Sequence, residues 1–192
     1  MRTLGLQRSV DLTPMDSWVN ASAVGAFVER LAAARIGDTF NQYADSAVRC
    51  ERLRRYLLAR AGAPIALVGE AAGYRGARVS GVPFTSERQL TGSGRAEPSA
   101  TIVHSTLEEL GIAGDILLWN VVPTHPGSES TNRRPTRREV EAARPFLDAV
   151  TAGRRVVAVG RLAEAATGAP YVRHPSRGGA AAFAAMLREC LA

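Results

Sequence analysis

Four positions carry side chains whose types and placement could do chemistry together. Glu70 follows Gly69 where the apolar run "IALVG" stops. Phe84 follows Pro83 in the glycine-rich loop behind that run. Asn120 ends a second apolar run, "DILLWN", and offers a donor and an acceptor on one planar group. His174 stands in "HPSRGG", a segment that feeds a helix N-terminus, with Arg173 and Arg177 on either side. A loop rich in glycine costs backbone entropy, and the one after Gly69 needs a reason to exist.

Several familiar chemistries are absent. "GEAAGYRG" is neither GxGxxG nor a Walker motif, so a nucleotide cofactor has no support. There is no GxSxG for serine hydrolysis. His104, His125 and His174 have no metal-ligand spacing. His104 falls inside an expected helix and reads as structural or solvated. His125, on the loop after Asn120, is open to either reading. Cys50 and Cys190 form no CxxC pair and fit a reduced, cytoplasmic setting. No metal and no cofactor are expected.

The elements that position these residues alternate. Helices are expected over 21–37, 46–62, 99–111, 136–153, 161–168 and the closing stretch from 180. Short apolar strands are expected over 65–69, 115–123 and 154–160, with a fourth before His174. Continuous apolar strands between helices predict a parallel sheet covered on both faces. Ligands of such sheets sit beyond the carboxyl ends of the strands, and the unusual loops 70–86, 120–135 and 174–179 all fall there. The 192 residues are expected to form one domain, 1–192, with an irregular arm over 1–20. No apolar run approaches the roughly 20 residues that span a bilayer, and no signal peptide is expected.

The net charge is +6, and every one of the 24 basic residues is arginine. That balance suits a polyanionic partner. It also removes lysine-based Schiff-base chemistry from the side chains of this sequence.

"LVGEAAGYRGARVSGVPF", "LLWNVVP" with "NRRPTRREVEAARPFL", and "HPS" together resemble the uracil-DNA glycosylase superfamily over roughly residues 64–191. The nearest pattern is the GEAPG-type branch, family 4, and its relatives without an iron–sulfur cluster. The resemblance implies a three-layer α/β/α sandwich around a central four-stranded parallel sheet. It implies a monofunctional enzyme, a monomer, that hydrolyses the N-glycosidic bond of uracil, and of other deaminated bases, in single- or double-stranded DNA. The competing expectation is a superfamily member that binds DNA or abasic sites with little catalysis.

By the same resemblance Gly69, Glu70 and Ala71 lie in the loop that positions water and cradles the base. Phe84 stacks on the flipped base, Asn120 reads its edge, and His174 hydrogen-bonds its O2 oxygen. Arg75, Arg78, Ser176 and Arg177 contact DNA. The departures are specific. Ala72 replaces the motif's proline, and Thr124 and Ala143 stand where cluster cysteines would. Ala71 stands where the best-known uracil enzymes have an aspartate. Gly73 stands where they place a tyrosine against the thymine methyl, a place that Tyr74 could take by turning inward.

Overall fold

The computed structural model describes residues 20–192. The expected arm therefore lies outside the described residues except for Asn20, whose side chain accepts from Ser22 N–H and caps the first helix. In chain order the elements are α1 (Ala21–Ala33), α2 (Ala47–Ala59), β1 (Ile65–Ala71), α3 (Ala77–Ser80), α4 (Glu87–Thr91), α5 (Pro98–Glu109), β2 (Ile116–Val122), α6 (Arg137–Thr151), β3 (Arg155–Val159), α7 (Arg161–Thr167), β4 (Tyr171–Val172) and α8 (Ala180–Leu191).

The sheet has four strands in the order β2-β1-β3-β4, all parallel. The expected α/β/α sandwich is what forms. Side chains alternate across the sheet, so each strand feeds two cores. Trp119, Val68 and Ala158 join α1, α2, α6 and α7 on one face, where Phe27 packs against both Trp119 and Phe146. Leu67, Leu118 and Val157 join Val103 and Leu107 of α5 and Phe183 and Leu187 of α8 on the other.

Register places the chemistry. Gly69 pairs with Asn120 at the carboxyl ends of β1 and β2. Both belong to the set that alternates toward the α5–α8 face. β1 runs to Ala71, two residues beyond the expected end, so Glu70 lies in the strand rather than in the loop. The following loop is less irregular than expected, because α3 folds within it and α4 directly follows it. The expected helices shorten at their ends, where backbone groups have no intrahelical partner.

Candidate active site

The loop behind β1 is held from α2 and the segment before it. Tyr43 Oη donates to Gly81 O at 3.0 Å, and Arg49 Nε donates to Val79 O at 2.9 Å. Arg52 forks onto Glu87 at 2.8 and 2.9 Å. Ser80 Oγ donates to Thr85 O at 2.6 Å and closes the turn over Phe84.

Phe84 is 8% exposed, with its ring packed into the core on the α5–α8 face. Its backbone has φ 51°, a left-handed conformation that costs a non-glycine residue about 1–3 kcal/mol. His104, on α5, helps hold it there: Nε2 donates to Phe84 O at 3.0 Å. Burial keeps the imidazole below its ordinary pKa, although the Phe84 carbonyl opposes that shift. The ring explains the glycine at the end of the strand. A Cβ on Gly69 would lie 2.3 Å from Phe84 Cζ and 3.1 Å from Asn120 Oδ1.

A cleft of about 680 Å³ opens at this strand edge. Glu70, Ala71, Phe84, Asn120, His174, Ser176 and Arg177 all line it. Asn120 is 4% exposed, yet its amide has no hydrogen-bond partner among the described residues. A buried amide left open in this way is suited to a ligand edge. Burial raises the Glu70 carboxyl above the ordinary range, while Arg134 pulls it down.

His174 is oriented by its own loop. Ser176 N–H donates to Nδ1 at 3.2 Å, and Ser176 Oγ lies 2.9 Å from the same nitrogen. A nitrogen that accepts a backbone N–H carries the lone pair, so the hydrogen-bond pattern assigns the ring proton to Nε2. Burial lowers the imidazole's pKa and favours this neutral form. The Nε2–H has no partner among the described residues. The loop closes this tightly only with glycine behind it, since a Cβ on Gly179 would meet His174 O at 2.3 Å.

Other expected residues are placed elsewhere. Arg75 and Arg78 do not line this cleft; they line a smaller one of about 230 Å³ with Tyr74 and Glu129. Arg78 donates to Glu129 at 3.0 Å and stacks 4.8 Å over Phe40. Arg75 stacks 5.0 Å over Tyr74, which has turned away from Gly73. His125 is buried, with ring nitrogens 2.7 Å from Ala72 O and 2.8 Å from Ser128 O, so it ties two loops together. Arg133 reaches the cleft but forks onto buried Glu139 at 2.5 and 2.8 Å, which holds that carboxyl down at about 2.

Glu97, Arg161 and Tyr171 also line the cleft and were not among the sequence candidates. Arg161 and Tyr171 stack at 3.9 Å beside the β3 end. The signal for Arg161 was available, since it directly follows the strand "RVVAVG". Among the described residues no group of three or more His, Cys, Asp or Glu could hold a metal ion, and no helix is long and apolar enough to cross a membrane.

The fold and cleft define a class first: a parallel α/β/α protein with a cleft across the strand ends, lined by a seated aromatic ring, an open amide and a neutral imidazole. A sequence model of the Uracil DNA glycosylase superfamily matches residues 58–190, and the chain belongs to that superfamily. Its members are DNA glycosylases that act on DNA, so the chain is placed in a DNA-repair family. No curated protein matches it in sequence. Among solved structures it is similar to wild-type SMUG2 of Pedobacter heparinus, with TM-score 0.60 and 12% identity over 88% of this chain and 95% of that one. That likeness is one of fold.

Proposed function

We propose that this chain is a monofunctional uracil-DNA glycosylase acting as a monomer in the cytoplasm. The observation that carries the reading is the convergence on one cleft of three free recognition groups: the Phe84 ring, the unpartnered Asn120 amide and the Nε2–H of neutral His174.

Each group meets one cost of the reaction. Extruding a base from the stack costs a few kcal/mol. Stacking on Phe84 recovers about 1–3 kcal/mol. The Asn120 amide matches uracil's N3–H and O4 with one acceptor and one donor. As the bond from C1′ to N1 breaks, its electron pair passes to the base and charge gathers on O2. The His174 Nε2–H donates to that oxygen, an oxyanion-type effect of roughly 3–4 kcal/mol per donor. Glu70 orients water toward C1′ and opposes the positive charge growing on the sugar. The water adds to C1′ and releases its proton to Glu70 or to solvent. Ser176 and Arg177, with Arg173 beside them, form the rim that meets the strand.

The test is a uracil-containing oligonucleotide, single- and double-stranded, treated with the protein and then with alkali. Strand scission that depends on alkali supports the reading. Binding without abasic sites would replace it with the non-catalytic alternative, which Ala71 favours because it offers no second carboxylate beside Glu70.

A further inference from the structure

Arg161 and Tyr171 have no part in the reaction just described, yet both line the same cleft. Arg161 Cζ lies 3.9 Å from the centroid of the Tyr171 ring, the contact distance of a guanidinium laid on the ring face. The pair is held from three directions. Tyr171 lies in β4, opposite Ala158 of β3. Gly160, at φ 91°, turns the chain from β3 straight into α7, while its N–H donates to Val172 O at 3.0 Å. Arg161 Nη1 donates to Glu164 Oε2 at 2.7 Å, one helical turn further on. A flexible side chain is thereby set as a plate. It remains 71% exposed, so the guanidinium face opposite Tyr171 is open.

The plate stands beside His174. A Cβ on Gly160, the residue before Arg161, would lie 3.8 Å from His174 Cβ. A nucleotide whose base meets Asn120 and His174 therefore brings its neighbour in the strand toward Arg161. Two other arginine–aromatic stacks are looser, Arg75 over Tyr74 at 5.0 Å and Arg78 over Phe40 at 4.8 Å, and neither arginine lines the main cleft.

What the plate can bind follows from what it has left to offer. Its charge is already met by Glu164, whereas Arg173 and Arg177 nearby have no ion pair among the described residues and suit phosphates. A guanidinium is flat and weakly hydrated, and it stacks on π faces. Bases of unpaired strands are held on aromatic rings and arginine planes in this way. In a duplex the neighbours of an extruded nucleotide stay paired and stacked within the helix, so they do not lie on a plate at the cleft's edge.

We propose that the Arg161–Tyr171 stack binds the nucleobase next to the target nucleotide in an unpaired strand. This rests on the reading of the cleft as a site for one nucleotide of DNA, and it adds a second base to what the cleft holds.

The test measures binding and single-turnover release on single strands holding one deoxyuridine. In a matched set, the base on its 5′ side or on its 3′ side is replaced by a tetrahydrofuran spacer, which keeps the phosphates and removes the base. For the wild-type chain, the spacer on one side is expected to weaken binding about 10-fold. Arg161→Lys keeps the charge but has no plane, and Tyr171→Leu removes the ring beneath it. Each should weaken binding to the intact strand by a similar factor and lose its sensitivity to the spacer. A merely stabilising stack would not produce that loss, because the spacer alters the DNA alone. On a duplex holding the same deoxyuridine, Arg161→Lys should bind as the wild type does. Equal weakening on strand and duplex would mark Arg161 as a phosphate contact and overturn the proposal. So would an Arg161→Lys protein that keeps full sensitivity to the spacer. A wild-type chain that releases uracil but ignores the spacer on both sides would overturn it too, and would leave the glycosylase reading standing. Spacer-sensitive binding without release of uracil would support the stack and sink the catalytic reading instead.

Discussion

At the residue scale, the proposed function divides the site into groups that read the base and groups that stabilise its departure. Asn120→Ala and His174→Ala are each expected to lower single-turnover uracil excision by at least about 100-fold, with little loss of DNA binding. Glu70→Gln should cost less, because Ala71 leaves the chain leaning on the leaving group. A Glu70→Gln protein that folds normally but is fully inactive would reverse that order. The pH dependence follows from His174, whose pKa lies below the ordinary value because of burial. Lowering pH first protonates the imidazole in the unfolded chain, near its usual value of about 6.5, and only later in the folded one. Stability linked to this group is therefore lost as pH falls below about 6.5, and the neutral, active imidazole persists into that range. The acid limb of kcat/KM on uracil DNA should be centred below pH ~6.5 and be absent in His174→Ala. Activity on uracil DNA that instead falls as pH rises through this range, in a way His174→Ala abolishes, would mean the imidazole acts as a cation.

At the element scale, the β1 loop matters because it holds Phe84 in a backbone conformation that the residue alone would avoid. α5 supplies part of that hold through His104. His104→Ala is expected to lower stability by about 1 kcal/mol through the lost hydrogen bond. It should also weaken uracil-DNA binding in KM more than it lowers kcat, because a displaced ring stacks poorly. A drop in melting temperature with unchanged KM would confine His104 to a stabilising role. The strands were legible because a buried parallel strand is a continuous apolar run, and the order of their terminal loops followed from that. What stayed hidden depends on tertiary contact. The seating of Phe84 was not legible, because a Pro-Phe pair in a loop says nothing of a ring folded back against Gly69. Glu97 was missed because an acid before a helix proline reads as an ordinary cap, and only the packed loop shows its carboxyl over Gly73. Arg78 seemed free because its partner Glu129 lies far along the chain.

At the scale of the whole molecule, charge and composition govern how DNA is met and what is left behind. Around the main cleft, Arg134, Arg173 and Arg177 are exposed and have no ion pair among the described residues, whereas Arg78 and Arg133 are paired with carboxylates. Three phosphate contacts predict a slope near −2.7 for log binding constant against log salt on duplex DNA, from about −0.9 per contact. A flat profile would point to a small-molecule substrate. The fate of the sugar follows from the composition. Glycosylases that also cut the strand attack C1′ with an amine and pass through a Schiff base. Residues 1–192 contain no lysine, and arginine stays protonated and cannot take that part. The remaining amine is an α-amine, which would have to reach C1′ beneath a base held by Phe84 and Asn120. Water is therefore the expected nucleophile, and the product is an intact strand with an abasic site. Borohydride added during turnover on uracil DNA should trap no protein–DNA adduct, and strand breaks should appear only after alkali. A covalent band that survives denaturation would show that an amine attacks, and the hydrolytic route would have to be given up.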